Sequence, residues 1–207
     1  MAEAKHPHPD KLICGILFNK DEVHHKGLEL LQSIYGPVDL HLSNHVPFTF
    51  TNYYEKQMGQ GLQRCFISFQ KLIDPSLLSE IKQTTNEIEK NLSKDYGIRI
   101  INLDPGLLNP SRFILASAKN YAHRIYLKDG IYVELEYLFD KKGPILLPWT
   151  YPDYKTPEYQ DFFIQARMIL LAQLRKIGGK RERESRGAGE PESGKAGEKG
   201  SGRSKGK

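Results

Sequence analysis

Asp129-Gly130 separates two alternating runs, 123–128 and 131–138, a strong short-range signal for a two-residue β-hairpin. In that register Lys128 faces Ile131, Leu127 faces Tyr132, Ile125 faces Glu134 and His123 faces Glu136. Side chains alternate along a strand, so His123, Glu134 and Glu136 share one face, while Arg124, Tyr126, Val133 and Leu135 share the other. A histidine opposite one carboxylate and diagonal to a second suits general acid/base work or supplies metal ligands, and the catalytic candidates are His123, Glu134 and, from another segment, Asp104. The same pattern also suits the solvent face of an antiparallel sheet.

Other segments carry chemistry of their own. Asn102-Leu103-Asp104-Pro105-Gly106 follows a strand read over 98–103, so Asp104 sits where loops often bind a hydroxyl or a cation; Asp-Pro-Gly is equally turn chemistry. Lys119-Asn120-Tyr121-Ala122-His123-Arg124 gathers three potential cations, which suits a phosphate or carboxylate, with Arg124 as a bidentate fork. Two aromatic loops, 49–55 and 149–154, hold Tyr53, Tyr54 and Glu55, and Tyr151, Asp153 and Tyr154. Their rings can stack a base or sugar, or pack on each other over the sheet edge. If both loops reach one sheet end, Glu55, Asp104 and Asp153 converge on a cation. His24-His25, His6 and His8 form no ligand spacing, and His41-Leu42-Ser43 supplies one half of a two-histidine phosphoesterase pattern without its partner. Cys14 and Cys65 lie in apolar runs and read as buried reduced thiols; no C-x-x-C is present.

These groups must be positioned by the elements between them. A buried strand is read over 11–19 and a helix over 21–35, stopped by Gly36-Pro37. Residues 37–61 read as irregular, and 62–73 as a strand. Asp74-Pro75 opens a helix whose inner face is Leu77, Leu78, Ile81, Thr85, Ile88 and Leu92. Strands follow over 98–103, 112–117 and the hairpin. Thr156-Pro157 caps a last helix with Tyr159, Phe162, Phe163, Ala166, Leu170, Leu174 and Ile177 on one face, closed by Gly178-Gly179. The expected class is α+β, with one mixed, largely antiparallel sheet, about three helices mostly on one face, and a disordered C-terminal tail. The expected organisation is a flexible segment over 1–10, one domain over 11–177 and a tail over 178–207.

The chain has 207 residues and a formal net charge of +5. Residues 178–207 hold nine of the 18 glycines and, with nine basic against five acidic residues, carry +4 of that charge. The body is therefore nearly neutral, which excludes a strongly basic nucleic-acid-binding core. No apolar run is long enough to span a bilayer, and 1–10 lacks the apolar core of a signal peptide, so the expectation is a cytoplasmic protein with no membrane partner. The tail can contact polyanions weakly. Its Gly189–Ala196 stretch fits G-x-x-x-x-G-K by chance: Ala196 stands where Ser or Thr must hold Mg²⁺, and low-complexity sequence flanks it.

Several multi-residue motifs occur together: Phe50-Thr51-Asn52-Tyr53-Tyr54-Glu55-Lys56-Gln57-Met58-Gly59, Asn102-Leu103-Asp104-Pro105-Gly106, His123-Arg124-Ile125-Tyr126-Leu127, Gly130-Ile131-Tyr132-Val133-Glu134 and Trp149-Thr150-Tyr151-Pro152-Asp153-Tyr154. In this order they resemble the prokaryotic family called domain of unknown function 4416, over about residues 10–175. The resemblance implies no assigned activity and no catalytic residue. A GTP-binding association of some members finds no phosphate loop and no N-K-x-D motif in this body. Gln57 stands where the family pattern suggests an acidic residue, and the tail lies outside the pattern.

Two main readings follow. The first is a site for a small phosphate-bearing ligand such as a nucleotide, with hydrolase or transferase chemistry open. There Lys119, Arg124 and His123 face the anion, Asp104, Glu134, Glu55 and Asn102 supply acid/base, polar or divalent-cation contacts, and Tyr53, Tyr54, Tyr151 or Tyr154 form a stacking wall beside Asp153. The second is a non-enzymatic RNA- or protein-interaction module using the aromatic loops and tail. A purely structural or assembly role is a third.

Overall fold

In a computed structural model the described residues are 1–42 and 46–187, with side chains described as far as residue 179. The elements in chain order are β1 (Asp10–Phe18), α1 (Asp21–Tyr35), β2 (Val38–His41), β3 (Val46–Pro47), α2 (Glu55–Met58), β4 (Gln63–Ile73), α3 (Leu78–Ser93), β5 (Ile101–Leu108), β6 (Arg112–Ser117), β7 (Ile125–Lys128), β8 (Ile131–Phe139), β9 (Pro144–Leu146) and α4 (Pro157–Gly187). Asp74 does cap the turn that leads into α3, its carboxylate accepting from Ser76 N at 2.9 Å. The stretch read as irregular over 37–61 contains two short strands and the single helical turn α2.

The strands form one sheet in the order β2-β4-β1-β5-β6-β8-β7, with β3 also on β4 and β9 also on β8. β1 is buried at every position because β4 and β5 flank it and both faces are covered. The units β1-α1-β2 and β4-α3-β5 do join parallel strands. Between each such pair, however, one antiparallel strand intervenes, β4 in the first and β1 in the second, which is the split βαβ arrangement. The fold is α+β, and the expected mixed sheet has no parallel pair among the described residues.

The two faces bury different chemistry. Leu12, Cys14, Ile16 and Phe18 of β1 join Cys65, Ile67 and Phe69 of β4, Leu103 of β5, Val23 and Leu31 of α1, and Leu78, Ile81 and Ile88 of α3. On the other face Phe66 meets Tyr159, Phe162 and Phe163 of α4, with ring centroids 4.7–5.7 Å apart, and Phe113 meets Phe163 at 4.5 Å. Helices therefore cover both faces, not mainly one. Gly15, paired to Phe66 on one side and Asp104 on the other, leaves room for the Phe66 ring, 3.0 Å from where a Cβ would stand.

Two local expectations are corrected. Asp104-Pro105-Gly106 is not a turn; it lies inside β5, and the preceding turn is made instead by Gly97 at φ +66°. The β5–β6 ladder pairs Leu108 with Phe113, Leu107 with Ile114 and Gly106 with Leu115, then ends beside Pro105, which has no N–H to extend it. The two strands part there. In the hairpin, Asp129 (φ 55°) and Gly130 (φ 76°) make the expected left-handed turn, and Lys128 pairs with Ile131. Leu127 then bulges, so Tyr126 faces Tyr132 and Ile125 faces Val133, one residue off the expected register.

Helix α4 passes through Gly178-Gly179 to Gly187, beyond the stop read from sequence. Glycine costs an interior helix position about 1 kcal/mol, and the Lys, Arg and Glu residues that follow are good helix formers. Residues Met1–Ala172 form one compact unit, and a second begins at Gln173. The expected loose tail beyond 187, with its chance phosphate-loop match, lies outside the described residues.

A Cβ at Gly106 would stand 2.5 Å from the Ile114 carbonyl oxygen and 2.5 Å from the Phe113 ring. Backbone cannot yield as a flexible side chain does. Gly106→Ala is expected to destabilise the fold by about 1–3 kcal/mol, read as a lowered urea midpoint at unchanged slope.

Candidate functional site

A cavity of about 560 Å³ opens where β5 and β6 part, within the usual range of roughly 300–1,000 Å³ for small-ligand sites. Its strand wall carries Arg64, Asn102, Asp104, Leu115 and Glu134; Lys82 and Asn86 enter from α3; Phe48, Phe50, Tyr53 and Tyr54 come from the loop before α2, and Tyr151, Asp153 and Tyr154 from the loop before α4.

Arg64 is the floor of this cavity, 4 % exposed. It donates through Nη2 to Asp104 Oδ2 at 2.6 Å and through Nη1 to Asp153 Oδ2 at 2.9 Å. Its guanidinium also lies over the rings of Phe48 and Phe66, at 5.3 and 5.7 Å from their centroids. Asn102 donates to Asp104 Oδ2 at 2.5 Å, and Lys82 Nζ lies 3.7 Å from Asp104 Oδ1 while donating to the Leu103 carbonyl at 2.7 Å. Burial by itself would raise the Asp104 pKa; Lys82, Arg64 and Arg99 outweigh it and hold the carboxyl below its ordinary value. Asp153 goes the other way: burial raises it and Arg64 opposes only in part. Arg99 extends the chain of contacts, donating to Asn102 Oδ1 and to Glu89 Oε2, the latter at 2.6 Å.

Glu134 centres a second cluster. Its Oε2 lies 2.6 Å from His123 Nε2, and its Oε1 accepts from Tyr151 Oη at 3.2 Å and lies 3.1 Å from Arg124 Nη2. Arg124 Nη2 also donates to Tyr151 Oη at 2.6 Å, and Arg124 Nη1 to the Lys119 carbonyl at 2.9 Å. Lys119 Nζ donates to Tyr53 Oη at 2.8 Å and sits 4.1 Å over the same ring; that hydrogen bond, then the charge itself, lowers the Tyr53 pKa.

Of the residues singled out from sequence, Asp104, Glu134, Lys119, Arg124, Asn102, Tyr53, Tyr54, Tyr151, Asp153 and Tyr154 all line this one cavity. His123 does not; it backs Glu134 from outside and stacks on Trp149, 5.4 Å between ring centroids. Glu55 does not either: it opens α2 and is absent from the lining. Arg124, expected on the face opposite Glu134, reaches the same carboxylate as His123, because it lies ahead of β7 and outside the hairpin's alternation. Glu134 and Glu136 are 1 % and 0 % exposed, so their face is not the solvent side. Asp104 and Asp153 meet at the Arg64 guanidinium, and Glu55 does not join them. Arg64, Lys82 and Arg99 were missed. A charged residue opening an apolar strand (Gln63-Arg64-Cys65-Phe66-Ile67) and a lysine between Ile81 and Thr85 on a helix's inner face are signals that would have found the first two.

The family model described as Domain of unknown function (DUF4416) matches residues 8–169, and the chain belongs to that family. No curated protein and no solved structure matches it.

Glu136 lies beneath the cavity. Its Oε1 accepts from Tyr151 N at 2.7 Å, and its Oε2 has no hydrogen-bond partner among the described residues. Burial pushes its pKa from 4.5 up to about 8, with the Tyr151 amide opposing. The unfolded carboxyl ionises near its ordinary value while the folded one keeps its proton, so this contribution is complete at low pH and is lost as pH rises from 4.5 through about 8. Glu136→Gln is expected to remove that loss, on the order of a few kcal/mol, so thermal melts of variant and parent should coincide below pH 4.5, diverge steadily above it and reach their full separation by about pH 8, the variant being the more stable.

Proposed function

We propose that the cavity binds a small anionic ligand, a phosphate-bearing molecule with a planar ring such as a nucleotide. The observation that carries this is the charge balance of the site: Arg64, Lys82, Arg99, Lys119 and Arg124 line it against Asp104, Glu134 and Asp153, and with Glu89, the partner of Arg99, the formal surplus is one positive charge. Lys119 Nζ meets a tyrosine hydroxyl there, not a carboxylate, and Arg124 lines the same cavity. A dianionic phosphate would complete both with charge-assisted bonds. Tyr53, Tyr54 and Phe50 supply the aromatic wall for a planar group.

The geometry supports binding ahead of turnover. Asp104 Oδ2 and both Glu134 oxygens are already engaged by Arg64 and Asn102, and by Arg124, Tyr151 and His123. A general base needs a lone pair aimed at substrate, and these carboxylates spend theirs on positioning the cations. A second reading, a protein-interaction module, draws on the exposed apolar edge formed by Tyr121, Ile125, Tyr126 and Leu127, at 66, 70, 56 and 42 % exposure.

Thermal unfolding of the full chain with inorganic phosphate, nucleoside monophosphates and nucleoside diphosphates separates the readings. A ligand that binds only the folded state raises the melting temperature with concentration. The expectation is a shift with at least one phosphate-bearing compound that is cut at least tenfold in affinity by Lys119→Ala/Arg124→Ala and unchanged by Lys90→Ala, on the outer face of α3. No shift with any of them contradicts the proposal.

A further inference from the structure

A different set of side chains meets on the α1 side of the sheet. His24 of α1, His41 of β2 and Cys65 of β4 bring one donor atom each to within 4.8 Å of one another. Cys65 Sγ lies 3.4 Å from His24 Nε2. With Zn–S near ~2.3 Å and Zn–N near ~2.0 Å, a tetrahedral centre sets its sulfur and nitrogen about 3.5 Å apart, so this edge is already at ligating distance. Closing a separation of up to 4.8 Å needs a movement of about 1.4 Å, within reach of an imidazole rotation at His41, which is half-buried and gives solvent an approach.

The surroundings fit a site and not a chance meeting of polar groups. His24 is 2 % exposed and Cys65 0 %, inside an otherwise apolar cluster, and the Phe18 ring stacks on His24 with centroids 4.5 Å apart. Arg64 and Cys65 are consecutive on β4 and project to opposite faces, so this cluster is separate from the anion pocket.

We propose that His24, His41 and Cys65 hold one zinc(II)-class ion, with the fourth position taken by water. Two imidazoles and one thiolate are the donor set that selects zinc over magnesium or calcium. On binding, the Cys65 S–H bond is replaced by an S–metal bond and the proton passes to solvent. The ion would tie α1, β2 and β4 together at one corner of the split βαβ unit. No sequence spacing announces this, because the three donors come from distant segments and meet only through the sheet order.

The test uses the reduced full-length protein titrated with cobalt(II), then with zinc(II). The expected result is one equivalent of cobalt giving a thiolate-to-cobalt charge-transfer band in the near ultraviolet with intense tetrahedral bands in the visible, all abolished by zinc. Cys65→Ser should lose the charge-transfer band, His41→Gln should weaken zinc binding at least tenfold, and Cys14→Ser should retain both. Circular dichroism of each variant checks folding; if Cys65→Ser does not fold, His41→Gln on the half-buried side carries the same reading. Absence of the charge-transfer band in the parent protein overturns the proposal. So does a band undiminished in a folded Cys65→Ser, or undiminished zinc affinity in a folded His41→Gln, since either assigns the metal to other groups such as His6 and His8.

Discussion

A guanidinium buried between two carboxylates sets the geometry of the pocket. Arg64 is the second residue of β4, and Asp104 and Asp153 reach it from β5 and from the turn before α4. Taking a charge out of water costs several kcal/mol, and only close, multiple contacts offset it. Here two ion pairs and flanking aromatic rings do so, and the same contacts tie the late loop to the early sheet. Removing either side leaves an uncompensated charge in a dry place.

The cavity above Arg64 exists because the sheet fails to continue. Pro105 cannot donate to β6, and Gly106 packs closely against Ile114 and Phe113, so the strands pair over three residues and then diverge. Lys82 reaches Asp104 from α3, and the rings of the two aromatic loops close the sides. The fork thus turns a defect in hydrogen bonding into a ligand-sized space lined by cations, with Glu134 and Glu136 held beneath it by backbone and tyrosine donors.

Much of this was legible in the residues. Apolar periodicity placed α1, α3, α4 and the long strands, and Asp129-Gly130 placed the hairpin turn. The candidate side chains were recognisable by type, and ten of them line one cavity. What sequence could not show was pairing at a distance. Asp104-Pro105-Gly106 has turn composition, yet its neighbours in β1 hold it extended. A one-residue bulge at Leu127 shifted the hairpin register, and bulges leave little mark on composition. Gly178-Gly179 has stop composition, yet the helix runs on. Arg64 was passed over because a lone charge in an apolar strand reveals its partners only when two other segments fold against it.

The most direct measurement is a double-mutant cycle on the full chain, with urea denaturation of Arg64→Met, Asp153→Asn and the pair. If Arg64 is the counter-charge that holds the pocket together, Arg64→Met alone costs about 3–5 kcal/mol. Asp153→Asn should then cost far less, or even stabilise, once Arg64 is gone, with an interaction energy above about 1.5 kcal/mol. Effects that simply add, within about 0.5 kcal/mol, would contradict the account.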